Sequence, residues 1–207
     1  MVKLLAVFCA ALFSCLAIAP ASARAAVPSQ PQFTAQLLSV NGTGCPPGST
    51  AVSASSDKSQ FTVTYSQYTA SAGGGANPGD FRKNCQLDVL VGVPAGLTFG
   101  IASEQYRGFA NLDTGAQGTL QADYYYAGVP GTYPQNHSIA GPVSNDYEFD
   151  DTSPVVTFAP CHFNATVNVD TSLRVSQGTD PTFFNELTMD STDVGAATIF
   201  HVSFKHC

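Results

Sequence analysis

Apolar residues along this chain recur with a period of two. Phe61, Val63 and Tyr65 alternate with Thr62, Thr64 and Ser66; Leu87, Val89 and Val91 bracket Asp88; Phe200, Val202 and Phe204 alternate with His201, Ser203 and Lys205. A two-residue repeat places one set of side chains on each face of an extended strand, so these segments predict half-buried strands. Between them lie turn-forming clusters, among them Pro46-Pro47-Gly48, Gly73 to Gly79, Pro94-Ala95-Gly96 and Val129-Pro130-Gly131. No amphipathic helix of more than one or two turns, no internal repeat and no interdomain linker is legible. The pattern predicts an all-β, single-domain antiparallel β-sandwich, jelly-roll-like.

The first 25 residues break that pattern. Lys3 precedes an apolar run, Leu4 to Ile18, and Pro20-Ala21-Ser22-Ala23 supplies small residues for cleavage after Ala23 or Ala25. The run falls short of the ~20 residues that a spanning helix needs. A removed export leader over 1–25 is therefore expected, with a secreted domain over 26–207, soluble and extracellular. Removal takes Lys3 and Arg24 and leaves six basic against 15 acidic residues, a net charge of −9. So few scattered cations build no stripe for nucleic acid or anionic lipid, which excludes both as partners.

Cys9 and Cys15 leave with the leader; Cys45, Cys85, Cys161 and Cys207 remain. An even set in an exported chain reads as two disulfides, and without a close C-x-x-C pair it does not read as zinc. The cysteines also sit in recognisable surroundings. Gly42 to Ser49 around Cys45, Arg82 to Leu87 around Cys85, Tyr106 to Leu112, Tyr124-Tyr125-Tyr126 and the terminal Phe200 to Cys207 occur in that order. Together they resemble a family of secreted fungal and actinobacterial proteins known as domain of unknown function 4360. The resemblance spans nearly all of 26–207 and departs at Phe158-Ala159-Pro160-Cys161, where an aromatic residue and Ser-Pro-Cys would be expected. It implies fold and compartment but brings no activity. Four cysteines allow three pairings. Cys45 with Cys85 and Cys161 with Cys207 is the expected one, because each bridge ties a strand-flanking loop to a strand nearby in sequence.

Motifs for catalysis are sparse. No G-x-S-x-G, H-E-x-x-H or unpaired cysteine offers a nucleophile or a metal. The glycines at 73–79 lack the strand-to-helix context of a phosphate cradle and predict a mobile surface loop. His162 and His206 each adjoin a cysteine, yet they read as solvent-facing, and no histidine opens the exported chain as a copper oxygenase requires. No cofactor and no metal are expected.

Two groups of side chains suggest surface chemistry instead. In Asp146 to Asp151, alternation puts Asp146, Glu148 and Asp150 on one face about 7 Å apart, a spacing compatible with paired-carboxylate hydrolysis or with calcium, and equally with a solvated face. In Leu120 to Tyr126, alternation turns Gln121, Asp123 and Tyr125 outward and buries Leu120, Ala122, Tyr124 and Tyr126. An exposed phenol beside amide and carboxylate groups suits a sugar, whose C–H faces stack on rings and whose hydroxyls need polar partners. Tyr106 and Arg107 would join this set if their strand lay alongside. Asn41, Asn136 and Asn164 head Asn-x-Ser/Thr sequons, and a eukaryotic secretory pathway would be expected to glycosylate Asn41 and Asn136 first. The sequence thus points to a glycan- or cell-wall-associated binding module. A carboxylate-dependent polysaccharide hydrolase is one alternative, and the other is an inhibitor or effector contacting a protein through the loops at 70–80 and 127–145.

Overall fold

The computed structural model describes residues 33–162, 164–189 and 196–207; the expected leader, 1–25, lies outside them. Twelve strands form two antiparallel sheets among these residues. The five-stranded sheet contains β1 (Thr34–Asn41), β5 (Arg82–Gly92), β10 (Asn164–Val175), β7 (Gln117–Tyr126) and β8 (Gln135–Ala140), in that order. The other sheet runs β2 (Thr50–Ala54), β3 (Gln60–Tyr65), β12 (Ala197–His206), β6 (Leu97–Leu112), β11 (Asn185–Thr188) and β4 (Thr69–Ala72), and β9 (Val143–Thr152) pairs with β6 as well. Among the described residues no helix is long and apolar enough to cross a membrane.

Most of the alternating positions named above fill the space between the sheets; the exceptions lie past the register shift at His201/Val202, where Val202 is half-buried and Phe204 is exposed. Phe61, Val63, Leu87, Val89, Val91 and Phe200 are all buried, and the Phe61 and Phe200 rings stack at 4.7 Å. Burying side chains of this size stabilises by about 1.5–3 kcal/mol each. Polar bonds cross the core too. The Tyr126 hydroxyl accepts from the Ile101 amide at 2.8 Å, the Tyr68 hydroxyl meets Thr171 Oγ1 at 2.9 Å, and the Tyr124 hydroxyl meets Ser153 Oγ at 3.3 Å. A buried phenol needs such a partner, and here each partner lies on the other sheet or on a segment flanking it.

The disulfides join Cys45 to Cys85 and Cys161 to Cys207, at sequence separations of 40 and 46. Loops of that length restrict the unfolded chain by ~4 kcal/mol each in the chain-entropy model. Both cysteines of the first bridge are buried, whereas Cys161 and Cys207 are exposed.

Two expectations about loops need correction. The segment 127–145 contains β8, whose inward positions are Gln135, His137 and Ile139, so only one aliphatic side chain marks its buried face. Residues 69–72 are likewise strand β4, and the glycine-rich run beyond them is a loop held close to its neighbours. A Cβ on Gly74, at φ +51°, would lie 2.6 Å from the Phe184 amide nitrogen, and the Gly74 amide donates to the Pro181 carbonyl at 3.1 Å.

Candidate functional site

The outward positions of the five-stranded sheet form a polar lattice, because antiparallel register sets them directly opposite one another. One row crosses the sheet as Asn84, Ser172, Gln121 and Asn136. The next holds Asn41, Gln86, Asp170 and Asp123, and a third holds Ser39, Asp88, Asn168 and Tyr125. Rows on one strand repeat every two residues, and neighbouring strands stand about 4.8 Å apart. Donors and acceptors are therefore presented at near-regular intervals in two dimensions.

Hydrogen bonds fix part of this lattice. Ser172 Oγ donates to Gln121 Oε1 at 3.4 Å, and Gln121 Nε2 donates to Asn136 Oδ1 at 2.9 Å. Asp123 Oδ1 accepts from the Tyr133 amide at 2.7 Å, which ties the 127–134 loop down beside the face. Ser39 Oγ donates to Asp88 Oδ2. A groove of about 430 Å³ runs over the first two rows, lined by Asn84, Gln86, Gln121, Asp123, Asn136 and Asp170 among others. A second hollow of about 270 Å³ adjoins it between Asp88, Asp170 and Tyr125.

Asp170 occupies the middle of the lattice, directly opposite Asp123. Partial burial pushes its carboxyl above the ordinary value, the charges of Asp123 and Asp88 push the same way, and a bond from Gln86 opposes them.

Gln121, Asp123 and Tyr125 therefore lie together, while Leu120, Ala122, Tyr124 and Tyr126 are buried. Asp146, Glu148 and Asp150 are far from them in the fold, on the outer face of the other sheet. There the Gln105 amide donates to Glu148 at 3.1 Å and to Asp150 at 2.6 Å, and Arg107 Nε lies 2.8 Å from Glu148 Oε2. Tyr106 does not join the Tyr125 set, since β6 belongs to the seven-stranded sheet and Tyr106 is buried in the core. Arg107, on the same strand, faces out beside Glu148.

One ionisable group escaped sequence reasoning altogether. Glu104 is fully buried, and neither carboxylate oxygen has a hydrogen-bond partner. Burial first, and then the charge of Asp151, raises it to about 7, against a weaker pull from the Tyr124 hydroxyl. Asp151 itself accepts a 2.8 Å hydrogen bond from His137 Nε2, and the His137 ring stacks on Phe149 at 4.2 Å. His137 is on β8 and Asp151 on β9, so this contact closes one side of the sandwich. The missed signal is a change of parity. Phe99 and Ile101 are buried at odd positions, Tyr106, Ala110 and Leu112 at even ones, and the register shifts where Ile101 and Ser103 face Val202 and His201. The bulge rotates every later side chain by one face and sends Glu104 inward.

Architecture and site define an antiparallel β-sandwich with one open polar sheet face. The chain belongs to the family described as Domain of unknown function (DUF4360), whose profile matches residues 31–207. An "Uncharacterized secreted protein" of the fungus Arthroderma benhamiae is 35% identical over 174 residues, 82% of this chain and 70% of that one. Its description agrees with an extracellular location, as the disulfides do. Weak likenesses reach a CBM61 module solved with β-1,4-galactotriose, at 10% identity and TM-score 0.30 over 82% of this chain and 88% of that one. A CBM22-1–GH10 portion of a Clostridium thermocellum xylanase, solved with xylohexaose, gives 11% identity and TM-score 0.30 over 82% and 28% of the two chains. Both likenesses are too distant to carry a ligand across.

Proposed function

We propose that this protein is an extracellular binding module that holds a polysaccharide chain of the cell wall on the outer face of its five-stranded sheet. The lattice of Asn84, Gln86, Gln121, Asp123, Asp170 and Ser172, with Tyr125 at its margin, is the observation that supports this reading. A sugar ring carries hydroxyls around its rim and C–H bonds on its faces. Amides and carboxylates answer the first, an aromatic side chain the second. Strand spacing sets these groups at intervals comparable to a pyranose width. An open groove lined largely by polar side chains suits a chain better than a small enclosed ligand, which would call for an apolar cavity.

A pull-down on insoluble β-glucan, chitin and xylan tests it. Tyr125→Ala and a Gln121→Ala/Asp123→Ala double variant should each lower retention about tenfold or more on the polysaccharide that is bound. Glu148→Gln, on the opposite sheet, should bind as the wild type does. Retention unaffected by the first two variants, or none on any of these materials, sinks the proposal.

The hydrolase reading keeps one specific support, the facing pair Asp123 and Asp170 with the Asp170 carboxyl pushed upward. General acid catalysis requires such a shifted partner. Reducing sugar released from those materials by the wild type and lost in Asp170→Asn would favour it over simple binding.

A further inference from the structure

All three sequons lie on one face of the molecule. Asn41 is opposite Gln86, Asn136 opposite Gln121, and Asn164 shares the outward parity of Asn168 and Asp170 on β10. Each is exposed on the outer side of the five-stranded sheet. Asn41 and Asn136 stand on its two edge strands, β1 and β8, and thus at opposite margins of the lattice. The sequence holds no sequon on the other sheet.

Asn136 is a wall of the larger groove, while Asn41 lines the adjoining hollow. Asn136 Oδ1 accepts from Gln121 Nε2, which leaves Nδ2, the atom that carries an N-linked sugar, outside that bond. The linkage keeps the carbonyl oxygen, so the Gln121 contact survives it. Transfer would occur from an oligosaccharide borne on a polyprenyl diphosphate, before β8 pairs. The C1–Nδ2 bond forms, the C1–O bond to the diphosphate breaks with its electron pair, and the amide gives up one proton; Ser138 completes the sequon. A pyranose is about as wide as the ~4.8 Å strand spacing. The first two sugars would therefore cover β7 and β10, over Gln121 and Ser172 and beside Asp123 and Asp170 in the next row.

We infer that an N-linked glycan on Asn136 lies in this groove and closes it to an external chain, so that occupancy at one asparagine sets whether the face can bind. The gating rests on the binding reading above; the seating of the attached sugar does not. An intramolecular sugar is present at an effective concentration that a free chain rarely matches, so even weak contacts would keep it in place.

The test expresses the wild type and Ser138→Ala, which keeps the Asn136 side chain but removes its sequon, in a eukaryotic host that adds oligomannose glycans. Glycopeptide mass spectrometry should find Asn136 occupied in the wild type alone. Endoglycosidase should release that glycan about tenfold more slowly from native than from heat-denatured protein, as protection by the groove requires. Retention on the bound polysaccharide should rise about tenfold in Ser138→Ala. An unoccupied Asn136, or equal native and denatured release, overturns the seating. Equal retention of the two proteins overturns the gating. Where neither form is retained on any material, the binding reading fails and the gating with it, while the release rates still decide whether the attached sugar occupies the groove.

Discussion

Glu104 stands directly across β6 and β9 from Asp151, whose carboxylate is held by His137. Charging both would place two anions in a buried interior, so folding keeps the proton on Glu104 up to about pH 7, against an ordinary value of 4.5. Between those values the native state holds a proton that the unfolded chain has lost. Stability therefore falls as pH rises from about 4.5 to about 7 and is level above that, the whole change being on the order of 3 kcal/mol. Urea midpoints at pH 5 and pH 8 should show this loss in the wild type and a much smaller one in Glu104→Gln. Equal slopes in the two proteins would remove Glu104 as its cause.

His137 holds Asp151 and covers Phe149, and through them it joins β8 to β9. Replacing it with alanine deletes a hydrogen bond to a buried carboxylate and a ring stack, which should cost about 2–4 kcal/mol. Hydrogen exchange should locate the loss, with β8 amides losing protection before those of β5 and β10. Uniform loss over all strands would contradict a local role.

Gly108 leaves no room for a side chain. A Cβ there would sit 1.9 Å from the Thr188 carbonyl oxygen and 2.6 Å from the Tyr147 hydroxyl, which donates to that same oxygen at 3.1 Å. Gly108→Ala must push β11 and β9 off β6, a destabilisation of about 3 kcal/mol or more by overpacking. A denaturation midpoint within error of the wild type would disprove the tight approach.

The Tyr68–Thr171 bond is buried at both ends. Tyr68→Phe should cost about 0.5–1.5 kcal/mol because it removes a buried hydroxyl–hydroxyl bond, and the double variant with Thr171→Val should lose less than the two single losses summed. Additive losses in this double-mutant cycle would mean that the two hydroxyls are not coupled.

Access separates the two disulfides. Thiol reductant should open Cys161–Cys207 in the native protein and reach Cys45–Cys85 only after unfolding, because thiolate attack needs approach to a sulfur. Alkylation followed by peptide mapping over a reductant series reads the order directly, and simultaneous opening would contradict it.

Much of the architecture was legible because period-two burial, turn clusters and an even cysteine set act locally and along the chain. Phe61 to Tyr65 and Leu120 to Tyr126 bury the side chains their alternation implies, and both cysteine pairings match. What was illegible depends on register. Gln121, Asp123 and Tyr125 could be set outward from their own strand, but Asn84, Gln86 and Asp170 become their neighbours only through pairings to residues tens of positions away. β8 escaped because a histidine fills a place usually taken by an aliphatic residue. Glu104 escaped because one extra residue in β6 reverses the faces beyond it.

The cross-core phenols also give the molecule a built-in optical gauge. The chain has eight tyrosines and no tryptophan, and Tyr68, Tyr124 and Tyr126 each reach by hydroxyl toward the opposite sheet. Their near-ultraviolet absorption and circular dichroism are unmasked by any indole, so these bands follow the separation of the two layers. A state that kept its strands but let the layers part would lose this signal while retaining its far-ultraviolet spectrum.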